Sequence, residues 1–147
     1  MGAFLRIPSL AVVGVSADRK KFGNSIFRAL KERGMRVYPI HRSLKEVEGV
    51  PCYATLGELP EKVEGVVTVI PPAETERFVE SCPAAGVKAI WMQQGSESAK
   101  AEARARELGL EVVAGECLFM YLEPVGSIHG LHRWFKKFFG RYTPPAG

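Results

Sequence analysis

The chain has 147 residues, a length that fits one domain with one hydrophobic core. Hydrophobic residues make up 46% and charged residues 24%, which is typical of a globular protein and excludes a disordered chain. The net charge of +4 is too small to indicate nucleic-acid binding by itself, but it suits a small polyanionic ligand if the charge is concentrated at one site.

The cysteines argue against a disulfide framework or a zinc cluster. Cys52, Cys82 and Cys117 are widely spaced and odd in number, so we expect a protein of the reducing cytoplasm. No apolar run approaches the roughly 20 residues that a membrane span needs. The apolar segment near the N-terminus is short and stops at a turn, so we predict a first strand there rather than a signal peptide.

Strand-like and helix-like segments alternate along the chain. Short apolar runs predict strands at 10–15, 35–40, 66–70, 87–92 and 110–113, with a short edge piece at 51–53. Helical spacing of apolar residues or helix-favouring composition predicts helices at 22–33, 74–85, 97–108 and 128–139, and one helical turn at 55–59. Gly34 and Gly109 are predicted to end two of these helices.

This alternation predicts an α/β fold: a Rossmann-like, doubly wound parallel sheet with helices on both faces. We expect one such domain at 1–125, followed by an aromatic, basic helix and a tail at 126–147. Sheets of this kind bind ligands at the carboxyl ends of their strands, where the strand order reverses. The loops after residues 15, 40, 70, 92 and 113 are therefore the candidate binding loops.

The first candidate loop covers residues 14–24. Gly14 lets the backbone turn tightly after the first strand, and the following helix start favours a phosphate group. Ser16 adds a hydroxyl, and Lys20 and Lys21 add positive charge. The loop matches neither the dinucleotide fingerprint nor the Walker A motif. We favour phosphate binding; the alternative is an ordinary turn with solvated lysines.

The loop after the second strand carries His41 and Arg42 where NAD-binding domains carry an acidic residue. Basic residues here favour a ligand with a phosphate on its ribose, which both coenzyme A and NADP have. The alternative is that Arg42 is an ordinary surface arginine.

Three later segments give weaker signals. Pro71 and Pro72 provide either a flat apolar wall for adenine or simply a rigid exit from the strand into a helix. Gln93 and Gln94 either line a channel for the pantetheine arm of coenzyme A or end their strand. Cys117 has no evident activating base, so we expect it to be a packing residue.

The predicted final helix carries one apolar stripe, formed by Ile128, Leu131, Phe135, Phe138 and Phe139. We expect the stripe to pack on the domain or on a second subunit, which would make a homodimer. The alternatives are a helix on a membrane surface and a helix that docks a partner protein. His129 and His132 have no evident third ligand, so no metal site is expected.

Several of these segments together resemble a known family. Residues 11–18, 21–24, 36–40, 71–72 and 91–95 are similar to the small stand-alone CoA-binding-domain proteins of bacteria and archaea, and to the CoA-binding domain of the succinyl-CoA synthetase alpha subunit. The resemblance ends near Cys117. Family members often have Asn-Pro after the second strand, which this chain lacks. The histidine loop and the ATP-grasp partner of the synthetase are not seen, so synthetase activity is not implied.

The resemblance implies positions for the ligand. Gly14, Ser16, Lys21 and Asn24 would surround the phosphates of coenzyme A. Pro39, His41 and Arg42 would lie near its ribose phosphate and adenine, and Ile70, Pro71 and Thr75 on the adenine side. The full set of predicted binding residues is Gly14, Val15, Ser16, Lys20, Lys21, Phe22, Gly23, Asn24, Pro39, His41, Arg42, Ile70, Pro71, Pro72, Thr75 and Gln93.

We therefore predict a cytoplasmic protein that binds coenzyme A or an acyl-CoA without catalysis, with no metal, no nucleic acid and no membrane contact. One alternative is a CoA-dependent or NADP-linked enzyme whose catalytic residues are not identified. The other is a partner-binding module that acts through the final helix.

Overall fold

The computed structural model describes residue 4 and residues 7–118 of the chain. Its main feature is a sheet of five parallel strands in the order β2-β1-β5-β6-β7. These strands are β1 (Ser9–Val13), β2 (Arg36–Ile40), β5 (Gly65–Thr68), β6 (Ala89–Gln93) and β7 (Glu111–Glu116). The predicted parallel sheet is therefore confirmed, and β1 and β5, where the strand order reverses, are adjacent.

Helices cover both faces of this sheet, as predicted. They are α1 (Phe22–Glu32), α2 (Pro72–Phe78) and α3 (Ala99–Glu107). One buried cluster joins α1 to alternate side chains of the sheet, such as Val12, Val67 and Trp91. A second cluster on the opposite face joins Val13 and Met92 to the α2 and α3 side. Side chains on successive strand positions point to opposite faces, so each strand contributes to both cores.

A small antiparallel hairpin follows β2. Its strands are β3 (Glu46–Val47) and β4 (Val50–Pro51), and Glu48 and Gly49 between them both have positive φ angles, 53° and 76°. Two such residues form the turn that suits the right-handed twist of a hairpin. The predicted edge piece at 51–53 is thus partly this hairpin, and Tyr53 adds one parallel bridge to Ile40. The predicted turn at 55–59 is confirmed as a short 3-10 helix, Leu56–Glu58.

The helix predicted at 74–85 is shorter in the structure and begins earlier. It starts at Pro72, and a 3-10 turn, Val79–Ser81, replaces its second half. Pro83 explains the early end, because it has no N–H to donate and its ring would clash with the carbonyl of the preceding helical turn. The predicted strand at 10–15 ends at Val13, because Gly14 leaves the strand with a φ of 124°.

The predicted final helix and the boundary between 1–125 and 126–147 lie outside the described residues. Among residue 4 and residues 7–118, no helix is long and apolar enough to cross a membrane.

Candidate functional site

A cleft of about 610 Å³ lies at the carboxyl ends of β1, β2 and β5. This is the place where parallel sheets of this strand order bind ligands, and the volume is within the usual range for small-molecule sites. The loop after β1 forms one wall, the loop after β2 a second, and the loop after β5 together with α2 a third. The 3-10 turn beside β2 completes the site.

The loop after β1 packs backbone against backbone. An ideal Cβ atom on Gly14 would lie 2.2 Å from the carbonyl oxygen of Val69, and one on Gly23 would lie 2.2 Å from the carbonyl oxygen of Gly14. Val69 N also donates a hydrogen bond to Val13 O at 2.7 Å. We predicted that Gly14 is a glycine so that the backbone can approach a ligand phosphate. The structure gives a second reason, which does not depend on a ligand: Gly14 packs so closely against the loop after β5 that no side chain fits there.

Asn24 braces this loop from inside α1. Its side-chain oxygen accepts a hydrogen bond from Ser16 N at 2.7 Å, and its Nδ2 donates to Ser16 O at 2.8 Å. The same Nδ2 donates to Glu48 Oε2 at 2.9 Å. Ser16 lines the cleft, and its hydroxyl oxygen accepts a hydrogen bond from Asp18 N. Ser16 therefore lines the cleft, while its backbone N–H donates to Asn24.

The cleft is positively charged at its rim. Among the described residues, Lys21, Arg42 and Arg77 line it, and Glu74 supplies the single lining carboxylate. Arg42 and Glu74 form an ion pair of 3.7 Å in which the arginine side chain is 87% exposed, so water screens the attraction strongly. Lys21 is also the residue that precedes α1, whose first turn contains no acidic residue. Two positive features, a lysine and a helix start, thus meet beside the cleft.

His41 is oriented by the backbone of its own loop. Its Nδ1 accepts hydrogen bonds from Ser43 N and Leu44 N, both at 3.1 Å. A nitrogen that accepts two N–H groups carries no hydrogen itself, so Nε2 is the ring nitrogen that carries one. His41 therefore has one nitrogen that can donate to a ligand in the cleft.

Apolar residues cover the remaining wall of the cleft. Ile70 and Pro71 come from the loop after β5, Phe78 from α2 and Leu56 from the 3-10 turn. These flat and branched surfaces can cover an aromatic ring, and the cationic side chains of Lys21, Arg42 and Arg77 line the same cleft. The arrangement suits a ligand that is partly aromatic and partly anionic.

Comparison with known proteins identifies the family. Residues 8–123 match the model of the CoA binding domain family. The chain belongs to this family. The family predicted from the sequence motifs is thereby confirmed.

The relatives of this CoA-binding-domain protein include much longer chains. It is 29% identical over 126 residues to the alpha subunit of ADP-forming acetate–CoA ligase II of Pyrococcus furiosus, covering 78% of this chain and 28% of that subunit. It is 31% identical over 121 residues to ADP-forming acetate–CoA ligase I of Archaeoglobus fulgidus, covering 76% of this chain and 18% of that one. The chain thus spans less than a third of the length of these two ligases.

One solved structure of comparable size is also similar. A hypothetical protein of Pyrococcus horikoshii OT3 superposes with a TM-score of 0.76 at 31% identity, and the match covers 81% of this chain and 84% of that one.

The CoA-binding-domain fold brings half of the predicted binding residues to the cleft. They are Gly14, Val15, Ser16, Lys21, His41, Arg42, Ile70 and Pro71. The sequence signal that found them was their position directly after β1, β2 and β5, since the carboxyl ends of parallel strands meet at one edge.

The other eight predicted residues do not line this cleft: Lys20, Phe22, Gly23, Asn24, Pro39, Pro72, Thr75 and Gln93. Thr75 is fully buried, and its hydroxyl is hydrogen-bonded to Ser96 Oγ at 2.8 Å. Gln93 is buried too, and its Oε1 accepts a hydrogen bond from Leu118 N. Its neighbour Gln94 instead lines a smaller cleft of about 260 Å³ beside the first. Gln93 is the last residue of β6, which is buried along its whole length, whereas Gln94 lies in the exposed turn that follows.

Among the described residues, ten that line the cleft were not in the predicted set: Val13, Ile40, Ala54, Thr55, Leu56, Val69, Glu74, Arg77, Phe78 and Ser81. Helical spacing located α2 but not the side that faces the cleft. The turn at Leu56 was predicted as an element, yet its position beside α2 depends on long-range packing.

The three cysteines do not line the cleft and are all buried. Burial raises the pKa of the Cys82 thiol to about 12, and it raises the pKa of Cys52 as well. A thiol that stays protonated is a poor nucleophile. Cys117, for which a packing role was expected, is buried in the hydrophobic core. Among the described residues, no three His, Cys, Asp or Glu side chains are grouped closely enough to hold a metal ion.

Proposed function

We propose that this chain binds coenzyme A, or an acyl-CoA, in the cleft at the carboxyl ends of β1, β2 and β5. One observation carries the proposal: the cleft has both cationic and apolar lining residues, and it lies where the strand order of the sheet reverses. The chain that forms it belongs to the CoA binding domain family. Coenzyme A has matching parts: a diphosphate, a phosphorylated ribose and an adenine ring. The family also favours coenzyme A over NADP, the alternative cofactor of the sequence analysis.

The diphosphate is proposed to lie against the loop after β1. Lys21 supplies charge there, the hydroxyl of Ser16 can donate a hydrogen bond, and the positive end of the α1 dipole is adjacent. The ribose phosphate is proposed to lie against His41 and Arg42. Arg42 can exchange its exposed, 3.7 Å contact with Glu74 for a phosphate at little cost, because a screened surface ion pair contributes little.

Calorimetric titration with coenzyme A and dephospho-CoA tests this placement. We expect dephospho-CoA to bind roughly 10–100-fold more weakly, since a hydrogen bond to a charged group is worth about 1.5–3 kcal/mol. Arg42→Ala should weaken the binding of coenzyme A by a similar factor and leave the affinity for dephospho-CoA unchanged. Arg33→Ala, which changes an exposed arginine outside the cleft, is the matched control. If the wild type binds the two ligands with equal affinity, Arg42 does not contact the ribose phosphate as proposed.

We further propose that binding, and not turnover, is the activity of this chain. Support comes from the lack of any recognisable nucleophile–base pair in the sequence, and from the position of the cysteines away from the cleft. Incubation with acetyl-CoA and a thiol-reactive dye tests this directly. We expect thiol release at the rate of the buffer blank; protein-dependent release would favour the enzyme alternative.

A further inference from the structure

Glu48, in the turn of the β3–β4 hairpin, is a buried carboxylate that the proposed function does not use. Its side chain is 4% exposed, although it lies in a two-residue turn that would ordinarily be solvated. It also has a φ of 53°, a left-handed conformation that glutamate rarely adopts. Such a conformation costs energy and persists only where surrounding contacts hold it.

Within the described part of the chain, the side-chain partners of Glu48 lie in the first candidate loop and in α1. Its Oε2 accepts from Asn24 Nδ2 at 2.9 Å and pairs with Arg28 at 2.8 Å. Its Oε1 pairs with Arg19 Nε at 3.2 Å. One carboxylate of the hairpin therefore joins the middle of the loop to two positions on α1.

These contacts reach the cleft through one further residue. Asn24 binds Glu48 and also holds both the N–H and the carbonyl of Ser16, which lines the cleft. Arg28 donates to Arg19 O at 3.1 Å, which closes the loop from the other side. The path from Glu48 to the proposed diphosphate site is thus Glu48, Asn24, Ser16, with no distance in it above 2.9 Å.

The carboxylate is held in its charged form. Burial opposes ionisation, but the hydrogen bonds from Asn24 and Arg28 and the charges of Arg28 and Arg19 outweigh it, so the pKa of Glu48 lies below its usual value.

We propose that Glu48 is a positioning residue, which holds the loop after β1 in the shape that receives the diphosphate of coenzyme A. The proposal rests on the proposed function, because the ligand is the one named there. Glu48 touches no ligand in this arrangement and acts through Asn24 and Ser16.

The sharpest variant is Glu48→Asn. Asparagine tolerates the left-handed conformation, and Asn-Gly is the preferred pair for this hairpin turn, so the hairpin should be retained while the carboxylate is lost. We expect coenzyme A to bind at least about tenfold more weakly, or about 1.4 kcal/mol. The affinity for dephospho-CoA should fall by the same factor, since both ligands carry the diphosphate. The ratio of the two affinities should therefore not change. Glu46→Gln, on an exposed side chain of the same hairpin, is the matched control and should bind normally.

Hydrogen exchange without ligand separates this proposal from the proposed function. In Glu48→Asn, amides at 15–21 should exchange faster than in the wild type, while the amides of β3 and β4 stay as protected as before. If Glu48→Asn does not fold, Glu48→Gln takes its place, since it keeps the side-chain length and removes the charge. A folded variant that binds coenzyme A within twofold of the wild type, or exchanges at 15–21 at the wild-type rate, overturns the positioning role. If the wild type fails to bind coenzyme A, the proposed function is overturned. The rates of amide exchange at 15–21 in the wild type and the variant then test by themselves whether Glu48 holds the loop.

Discussion

Gly14 shows how a single residue can serve both the fold and the site. Its φ of 124° and the 2.2 Å between an ideal Cβ and Val69 O both exclude a side chain. The same residue lines the cleft. A substitution at Gly14 therefore changes the stability of the domain before it changes any contact with a ligand, and a loss of binding in such a variant would not by itself locate the phosphate site.

Gly14→Ala is expected to lower the free energy of unfolding by on the order of 3 kcal/mol, from backbone strain together with overpacking against Val69. Gly34→Ala is the matched control. It also has a positive φ, of 85°, but nothing lies within 4 Å of an added Cβ, so Gly34→Ala should lose only about 1 kcal/mol, from backbone strain without overpacking. Urea unfolding of the three proteins measures both values. Equal losses in the two variants would contradict the close packing of Gly14.

At the scale of elements, the β3–β4 hairpin is joined to α1 by an ionic cluster. Glu48 pairs with Arg19 at 3.2 Å and with Arg28 at 2.8 Å. The cluster joins residues that are 20 and 29 positions apart, so it forms only when β2 and α1 are already packed. The folded-state pKa of Glu48 is lowered, so its ionisation stabilises the folded protein above the unfolded pKa near 4.5, and this stability is lost as the pH falls through the lower folded value.

The stability of the wild type relative to Glu48→Asn should therefore depend on pH below about 4.5. The relief of backbone strain in the variant does not depend on pH and cancels in the comparison. We expect the wild type to lose on the order of 1 kcal/mol relative to the variant between pH 7 and pH 3, the scale of hydrogen bonds to a charged group. Urea unfolding at several pH values measures the difference, and parallel curves for the two proteins would argue against an ionised Glu48.

At the scale of the whole molecule, the described residues, which end at Leu118, form the sheet, its helices and two hydrophobic cores. The predicted final helix lies outside the described residues. Its apolar stripe remains a prediction, and so does the homodimer. A stripe of five large apolar residues is more surface than a monomeric soluble domain usually exposes, so we expect it to be packed on the domain or on a second copy.

Phe135→Ala distinguishes a packed stripe from a membrane-bound or partner-docking helix. If the stripe is packed, the variant should lose about 3–5 kcal/mol of stability, seen as a lower melting temperature. Sedimentation of the wild type reports whether a second copy covers the stripe. An unchanged melting temperature, together with flotation of the wild type on anionic vesicles, would favour the membrane alternative.

The sequence alone determined the strand-and-helix alternation and the edge of the sheet where the cleft lies. Both follow from local signals: continuous apolar runs such as 66–70, helical spacing through Leu30, and glycines or prolines at element ends. Position after a strand was enough to find Ser16 and Arg42, because chain direction in a parallel sheet decides which loops meet.

Only the tertiary structure decided how the residues within those loops divide their roles. Asn24 was predicted to contact the ligand, yet its amide is used by Ser16 and by Glu48, 24 positions away. The sequence pattern placed Arg77 in a helix but did not indicate that it lines the cleft. It does so because α2 lies beside the turn at Leu56. Such assignments depend on contacts between residues far apart in the chain. No local periodicity encodes them, since they arise from the packing of elements against each other.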